Sequence, residues 1–593
     1  MRADHLGSGM VHLDLAPERA EFRNYKLNMI AIYAKNTPEY VILDAACCLY
    51  GITTIPIYDT LGEEACQFMF TQTNATTVFC SADHLKGLKA SIVKNVCGEL
   101  RNLVVMDPEN CKEGDLANDN DAYHVYQLAE IMVAGKENLK EHAKTTSNDV
   151  YTFSYTSGTT GDPKGAIMTH GNILSMVHSM SEFIKVKGEV RYCSYLPLAH
   201  VYERVVMNYM MITRAKYGIF SGDVFKLSDD LVSLKPTVFA SVPRLFNKFY
   251  EGIMAKTKEL TGLKKMMYQK GLKSKTEKYR KTGDPTSSLW DKLIFKVFKA
   301  RLGGEVQVMM TASAPIDPAV LESLKIHFGA PIMEAYGQTE GTGGEFASGR
   351  FDPKIGHVGG PVSCNEFKLV DVGEMNYKSS DIDENGKNRP RGEICVRGAN
   401  VIPGYYKNNE KTAETIDKDG WLMSGDIGMI LPGSNALQIF DRKKNIFKLS
   451  QGEYVAPEKL ENSLIMCPSI AGIFVHGDSL QSVLVAMVNL NPPGVEKFAK
   501  EKGIEGDFEA LCQNAEVRKM IMTEIGNQQK IAKFKGFERI VHIYIDHITF
   551  EDRELCTTTF KIKRNDAKEY YKQRITDMYA EQTRIDQEKA AKA

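Results

Sequence analysis

The 593-residue chain carries almost no surplus of charge: 74 Lys and Arg stand against 75 Asp and Glu, a formal net charge of −1. That balance argues against a dedicated nucleic-acid binder, which carries a net basic footprint. None of the 12 cysteines forms a Cys-x-x-Cys pair, which speaks against a zinc ribbon or a thioredoxin-type site, and scattered thiols suit a reducing compartment. No run of about eighteen uncharged apolar residues occurs. The nearest candidate, Tyr40 to Tyr58, is interrupted by Asp44, Gly51 and Pro56, and reads as a buried helix running into a strand. The opening residues Met1-Arg2-Ala3-Asp4-His5 lack a hydrophobic signal core, and Ala591-Lys592-Ala593 is not a peroxisomal address. The expected location is cytoplasmic, or peripheral on the cytosolic face of a membrane such as the endoplasmic reticulum, and not secreted. A Walker A loop and a Gly-x-Ser-x-Gly elbow are both absent, so neither P-loop nor serine-hydrolase chemistry is indicated.

What is present is alternation. Short apolar runs at Met29–Tyr33, Thr53–Ile57, Thr76–Cys80, Leu103–Met106, Val238–Val242 and Val306–Met310 are separated by helix-like stretches. This pattern predicts largely parallel sheets covered by helices. Residues 1–25 show no clear period. After about residue 360 shorter strands with turns, such as Gly392–Arg397, suggest an antiparallel, barrel-like region. The remainder after Asp441 reads as a separate domain. The chain is too long for one core, so the expected order is an unmatched segment 1–28, a large domain 29–441 and a small C-terminal domain 442–593.

Residues 256–301 hold fourteen Lys and Arg against four acids, a local charge of +10. Within them Leu289, Trp290, Leu293, Ile294, Val297 and Phe298 recur at helical spacing among Lys292, Lys296 and Lys299. Two readings stand. The preferred one is a helix that packs its apolar stripe on the core and solvates its basic face. The other is a basic amphipathic helix making peripheral contact with an anionic membrane.

The segment richest in chemistry is Tyr155-Thr156-Ser157-Gly158-Thr159-Thr160-Gly161-Asp162-Pro163-Lys164-Gly165. Glycines let backbone N–H groups approach phosphate oxygens, hydroxyls add donors and the lysine adds a point charge. Thr156–Gly165 resembles the phosphate loop of the adenylate-forming superfamily. The superfamily's other motifs follow in order. Glu334-Ala335-Tyr336-Gly337-Gln338-Thr339-Glu340 resembles its adenine and magnesium motif, Ser424-Gly425-Asp426 its ribose motif and Asp441-Arg442-Lys443-Lys444 its hinge. Asp419–Leu422 through Gly452–Glu458 resembles the fatty acyl-CoA synthetase signature, and Leu196–Arg204 is similar to the long-chain branch. The resemblance covers roughly residues 29–575. It implies an α/β fold: a large domain of mixed, mainly parallel sheets with a distorted β-barrel, and a small mobile α+β domain.

The activity implied is a long-chain fatty acid–CoA ligase. A fatty carboxylate attacks the α-phosphorus of ATP, giving acyl-adenylate and pyrophosphate, and CoA then displaces AMP. The carboxylate is already a nucleophile, so the burden is electrostatic. The resemblance implies that Thr156, Ser157, Gly158, Thr159, Thr160, Gly161 and Lys164 cradle phosphates. It puts Tyr336 against the adenine, Thr339 on the α-phosphate, Asp426 on the ribose, Arg442 on the ribose or a phosphate, and Mg²⁺ on Glu340. His200 would face the acyl carboxylate, Lys561 would be the mobile catalytic lysine and Lys444 the pivot. Plainer readings stand beside these. Glu340 could be a surface carboxylate, Asp426 a turn aspartate, His200 a satisfied core group and Lys561 part of a solvated basic run, with Lys563 its rival for the catalytic place.

Two departures are visible. Thr311-Ala312-Ser313-Ala314-Pro315 stands where relatives commonly have Ser-Gly-Ala-Ala-Pro, and relatives commonly carry a longer N-terminal region, whereas 28 residues precede the first matching strand here. The alternatives are an adenylating ligase for shorter or aryl acids, and a noncatalytic acyl-CoA or nucleotide sensor. The full set Lys164, Glu340, Asp426, Arg442 and Lys561 speaks against the sensor.

Overall fold

The computed structural model describes residues 1–22, 25–59, 61–156, 163–375, 377–451, 453–557 and 561–592. The first apolar runs become strands β1 (Glu18–Phe22), β2 (Tyr25–Tyr33), β3 (Thr53–Ile57), β4 (Thr77–Cys80), β5 (Asn102–Val105), β6 (His124–Gln127), β7 (Val150–Thr156) and β8 (Lys164–Thr169). They form one sheet in the order β6-β5-β4-β2-β3-β7-β8, with β1 added to β2. The β1–β2 and β7–β8 pairs are antiparallel; the others are parallel. Both faces are covered: in β2, Met29 and Ala31 pack into one core and Ile30 and Ile32 into the other. The stretch from Tyr40 to Tyr58 is the expected helix and strand. Thr37 caps helix Pro38–Tyr50 by accepting from Tyr40 N–H, Pro38 occupies its first turn, and Gly51 ends it at φ 66°, the left-handed conformation a glycine adopts without strain.

Helix Arg2–His12 lies where the sequence shows no period. A Cβ on Gly9 would come within 2.0 Å of the Ile131 carbonyl oxygen, and one on Gly135 within 1.8 Å of that of His5. Small residues on both helices, Arg2–His12 and Leu128–Glu137, therefore allow direct backbone approach. Packing of that kind leaves little trace in hydrophobic periodicity.

Strands β9 (Arg191–Ser194) and β10 (Lys216–Ile219) pair in parallel. A five-stranded sheet follows, β11 (Val238–Ser241), β12 (Val308–Thr311), β13 (Ile332–Tyr336), β14 (Phe346–Ala347) and β15 (Gly360–Pro361), parallel as far as β13 and antiparallel beyond it. The barrel-like region is a four-stranded sheet of β16 (Asn365–Val370), β17 (Arg391–Gly398), β18 (Leu422–Ile430) and β19 (Leu437–Arg442). Next come the short pair β20 (Phe447–Lys448) and β21 (Tyr454–Val455), then a mixed sheet of β22 (Ile470–His476), β23 (Leu484–Leu490) and β24 (Ile540–Asp546). Helix Ala515–Ile531 buries Val517, Ile521 and Ile525 in the same core as β22–β24.

The chain forms two compact units. One holds residues 1–314, 318–368 and 395–424; the other holds 315–317, 369–394 and 425–593.

The apolar stripe at 289–298 does not bury as one. Phe298 is 4% exposed, and neighbouring Phe295 is fully buried, both against Tyr268 and His327. Leu289, Leu293 and Val297 are 57%, 53% and 56% exposed. A π turn over Asp291–Phe295 breaks the simple helical period, which is why residues of one sequence stripe end on different faces. The preferred reading thus holds for Phe298 and fails for Leu289, Leu293 and Val297.

Candidate active site

In the first unit, β7 and β8 form an antiparallel pair that sets Thr156 opposite Lys164 at the mouth of the connecting loop. Ser157, Gly158, Thr159, Thr160 and Gly161 lie outside the described residues. The pair is held close: Gly165 is where a Cβ would come within 3.0 Å of the Tyr155 ring, and Tyr155 donates to Gln72 at 2.6 Å.

Lys164 meets Glu340 through a residue that sequence reasoning missed. The strap Ile402–Tyr406 lies along β8: Ile167 N–H donates to Gly404 O at 3.0 Å and Tyr406 N–H to Gly165 O at 2.8 Å. Tyr405, 3% exposed, points its ring beneath the Lys164 ammonium, 5.6 Å from it, and donates its hydroxyl to Glu340 Oε1. Burial, with the Glu340 charge beside it, raises the Tyr405 phenol well above its ordinary pKa, so it remains a donor. Ile402 N–H also donates to the Glu340 carbonyl at 3.0 Å. A cation and a carboxylate from distant parts of the sequence thus flank one phenol. The only sequence signal was Pro403-Gly404-Tyr405-Tyr406, a turn dipeptide before two aromatics.

Glu340 and Thr339 sit in a single 3₁₀ turn, Thr339–Gly341, just beyond the end of β13, where Tyr336 pairs with Phe346. The turn is clamped from behind. Asn400, fully buried, donates to Gly341 O at 2.8 Å and Gly344 O at 2.9 Å, and accepts from Thr342 Oγ1 at its own carbonyl. Asn172 in turn donates to Ala399 O and Val401 O at 2.9 and 3.0 Å. Among the described residues no group of three His, Cys, Asp or Glu could cage a metal. A single carboxylate fits Mg²⁺ all the same, because that ion is commonly held by one or two carboxylates plus substrate phosphates.

His200 caps helix Val201–Ile212, its Nδ1 accepting from Tyr202 N–H at 3.1 Å. In the neutral ring that bond places the proton on Nε2, the donor a carboxylate would require. Tyr58 stands edge-on to the ring at 6.4 Å. Asn36, on the turn after β2, ties down the approach to His200: it donates to Ser194 Oγ at 3.0 Å and Leu196 O at 2.7 Å and accepts from Leu198 N–H at 2.9 Å. Arg204 holds Leu198 O at 3.3 Å while pairing with buried Asp44. Its neighbour Glu203 takes hydrogen bonds from Tyr192 and Tyr217, and burial pushes its carboxyl up to about 7. Ala312, in the departing motif, is buried. Ser313 holds φ at 76°, a strained left-handed position for a residue other than glycine.

In the second unit, Asp426 on β18 and Arg442 on β19 are cross-strand partners, Arg442 Nε lying 3.4 Å from Asp426 Oδ1. Lys561 belongs to the same group. Desolvation by the surrounding protein lowers its pKa, Arg442 lowers it further, and Glu458 and Asp426 pull it back. Lys563, the rival, spends its ammonium on Glu554 O at 3.2 Å. The segment is anchored by Arg564, which pairs with Glu461, whose carboxyl burial raises to about 7. Neither Arg564 nor Glu461 was singled out from sequence. Lys444 is exposed in the turn after β19, where Asn445 and Ile446 N–H both donate to Arg442 O.

A family model described as "AMP-binding enzyme" matches residues 1–406. The chain is 40% identical over 579 residues to the peroxisomal "Long chain acyl-CoA synthetase 6" of Arabidopsis thaliana, covering 97% of this chain and 80% of that protein. It is 39% identical over 587 residues to "Long-chain-fatty-acid--CoA ligase 5" of Rattus norvegicus, covering 98% of this chain and 83% of that one. Among solved structures, the A domain of a carboxylic acid reductase from Segniliparus rugosus, in complex with AMP and a co-purified carboxylic acid, superimposes with a TM-score of 0.77 at 22% identity, over 98% of this chain and 86% of that one.

Proposed function

Because the chain belongs to the AMP-binding enzyme family and, within it, to the long-chain acyl-CoA synthetases, we propose that it activates long-chain fatty acids with ATP. The acyl-adenylate forms first, with release of pyrophosphate, and CoA then takes the acyl group and releases AMP. The observation that carries this reading is the Tyr405 junction, which holds the Lys164 cation and the Glu340 carboxylate on one phenol. Two anions must approach each other in the first step. Lys164 and the N–H and hydroxyl groups of the Thr156–Gly161 loop neutralise and orient the phosphates. Thr339 donates to the α-phosphate, Tyr336 lies against the adenine, and Asp426 with Arg442 accepts and donates at the ribose. Glu340 would hold Mg²⁺, whose charge offsets that on the transferring phosphates. His200, with its proton on Nε2, orients the fatty carboxylate. Lys561 supplies the cation that lets carboxylate and α-phosphate meet.

ATP–pyrophosphate exchange measured with palmitate and oleate against acetate and benzoate, followed by product analysis with CoA, tests this reading. Exchange with the long acids and formation of their thioesters is expected. Exchange confined to acetate or benzoate would move the activity to shorter or aryl acids. Binding of nucleotide without any exchange would make the protein a sensor.

A further inference from the structure

Helix Gly262–Thr282 and the helical stretch 288–302 pack side by side and antiparallel: Tyr268 meets Phe295 and Phe298, a Cβ on Gly271 would meet Trp290 at 2.9 Å, and Lys275 pairs with Asp291. The inner face is therefore settled by aromatic packing and a buried ion pair. The outer face of the second stretch exposes Ser288, Leu289, Lys292, Leu293, Lys296, Val297 and Ala300, with no acid among them. At the start of the first helix Leu263 and Met266, 66% and 59% exposed, flank Lys264 and Lys265. Ser287, Ser288, Lys292, Lys296 and Lys299 line a shallow groove beside this face, and the one acid in it, Asp291, is already taken by Lys275.

We propose that this face docks on an anionic phospholipid bilayer. Leu289, Leu293 and Val297 enter the headgroup layer, and Lys292, Lys296 and the serine-lined groove take lipid phosphates. Apolar side chains in one row with lysines at the flanks are what an interfacial helix needs, and a local charge of +10 matches an anionic surface. A two-fold contact with a second copy would set these lysines against their own images, and a nucleic acid offers nothing to the exposed leucines. The proposal does not depend on the reaction, since binding is read without substrate.

The test is co-sedimentation of the full chain with phosphatidylcholine vesicles and with vesicles containing phosphatidylserine. Partition onto the anionic vesicles is expected to be roughly tenfold stronger and to weaken with salt. Leu289→Ser, Leu293→Ser and Val297→Ser together should lower it about tenfold. Lys292→Glu with Lys296→Glu should abolish the preference for anionic lipid, while Lys500→Glu with Lys502→Glu, the same charge change on another surface, should leave it intact. Thermal melts check that each variant is folded. Equal partition onto neutral vesicles, no partition at all, or equal loss in the Lys500/Lys502 control would overturn the proposal. So would finding that the wild type is a dimer that the leucine variants convert to monomer, which would assign the face to a second copy.

Discussion

Tyr405 is the residue on which two of the site's charged groups meet, and its hydroxyl makes a claim that can be isolated. Tyr405→Phe keeps the ring beneath Lys164 and removes the hydroxyl that donates to Glu340. A hydrogen bond to a charged group contributes about 1.5–3 kcal/mol, so the rate of ATP–pyrophosphate exchange should fall roughly ten- to hundredfold with little change in melting temperature. An unchanged rate would show that Glu340 needs no such partner. Lys164, Glu340 and Asp426 stood out as candidates because each sits in a short ordered motif. Tyr405 was not, since a phenol after Pro403-Gly404 looks like any loop aromatic until the strap is seen against β8. The same holds for Asn400 and Asn172, whose value lies in the carbonyls they reach, and for Arg564, which reads as one more cation in a basic run.

At the scale of elements, the His200 loop is held by side chains where no strand pairing is shown. Asn36, on the turn after β2, satisfies Leu196 O and Leu198 N–H. Asn36→Ala leaves both without that partner, at a cost of about 1–3 kcal/mol each if they stay buried. The expected result is a higher KM for the fatty acid with KM for ATP nearly unchanged, and a lowered melting temperature; parallel rises in both KM values would deny the loop its role. A second prediction concerns the helical hairpin. His327, 1% exposed, donates from Nδ1 to Ser323 O at 2.7 Å and accepts at Nε2 from the Tyr268 hydroxyl at 2.9 Å, and burial lowers its imidazole to about 4. The folded chain keeps this ring neutral, whereas an unfolded chain protonates it below about pH 6.5. Stability present above that pH is therefore lost as pH falls from 6.5 toward 4, by up to about 3 kcal/mol. Urea melts at pH 7, 6 and 5 should show the loss, and His327→Gln should flatten it; an equal slope in the variant would place the effect elsewhere. The strands were legible because runs such as Thr53–Ile57 are buried on both faces and stay apolar throughout. Helix Arg2–His12 was not, because Gly7 and Gly9 pack by their lack of a side chain, and the 289–298 stripe misled because a π turn interrupts its period.

At the scale of the whole molecule the chain enters its second compact unit more than once, through 369–394 and again from 425. A boundary sought as one change of texture, such as the one expected after Asp441, gives no hint of that interleaving, since one texture boundary cannot mark a unit that the chain enters more than once. The reaction sets a harder demand on the same region. Adenylation needs a cation at the α-phosphate, the role proposed above for Lys561. Thioester formation instead needs room for a thiol beside the acyl carbon and no further cation there. If one lysine serves the first step, the backbone must turn before the second, and the exposed turn at Lys444 is where a few dihedrals could absorb that change. Lys444→Pro fixes φ near about −65° while removing one exposed charge; Lys444→Ala removes only the charge. We expect Lys444→Ala to support both half-reactions. Lys444→Pro should retain ATP–pyrophosphate exchange within about twofold and lose acyl transfer to CoA by roughly a hundredfold, as expected when only a conformational step is blocked. Single-turnover transfer from preformed acyl-adenylate separates the two steps. If Lys444→Pro lost exchange and transfer equally, the turn would be a structural element and the change between half-reactions would have to arise at another point in the chain.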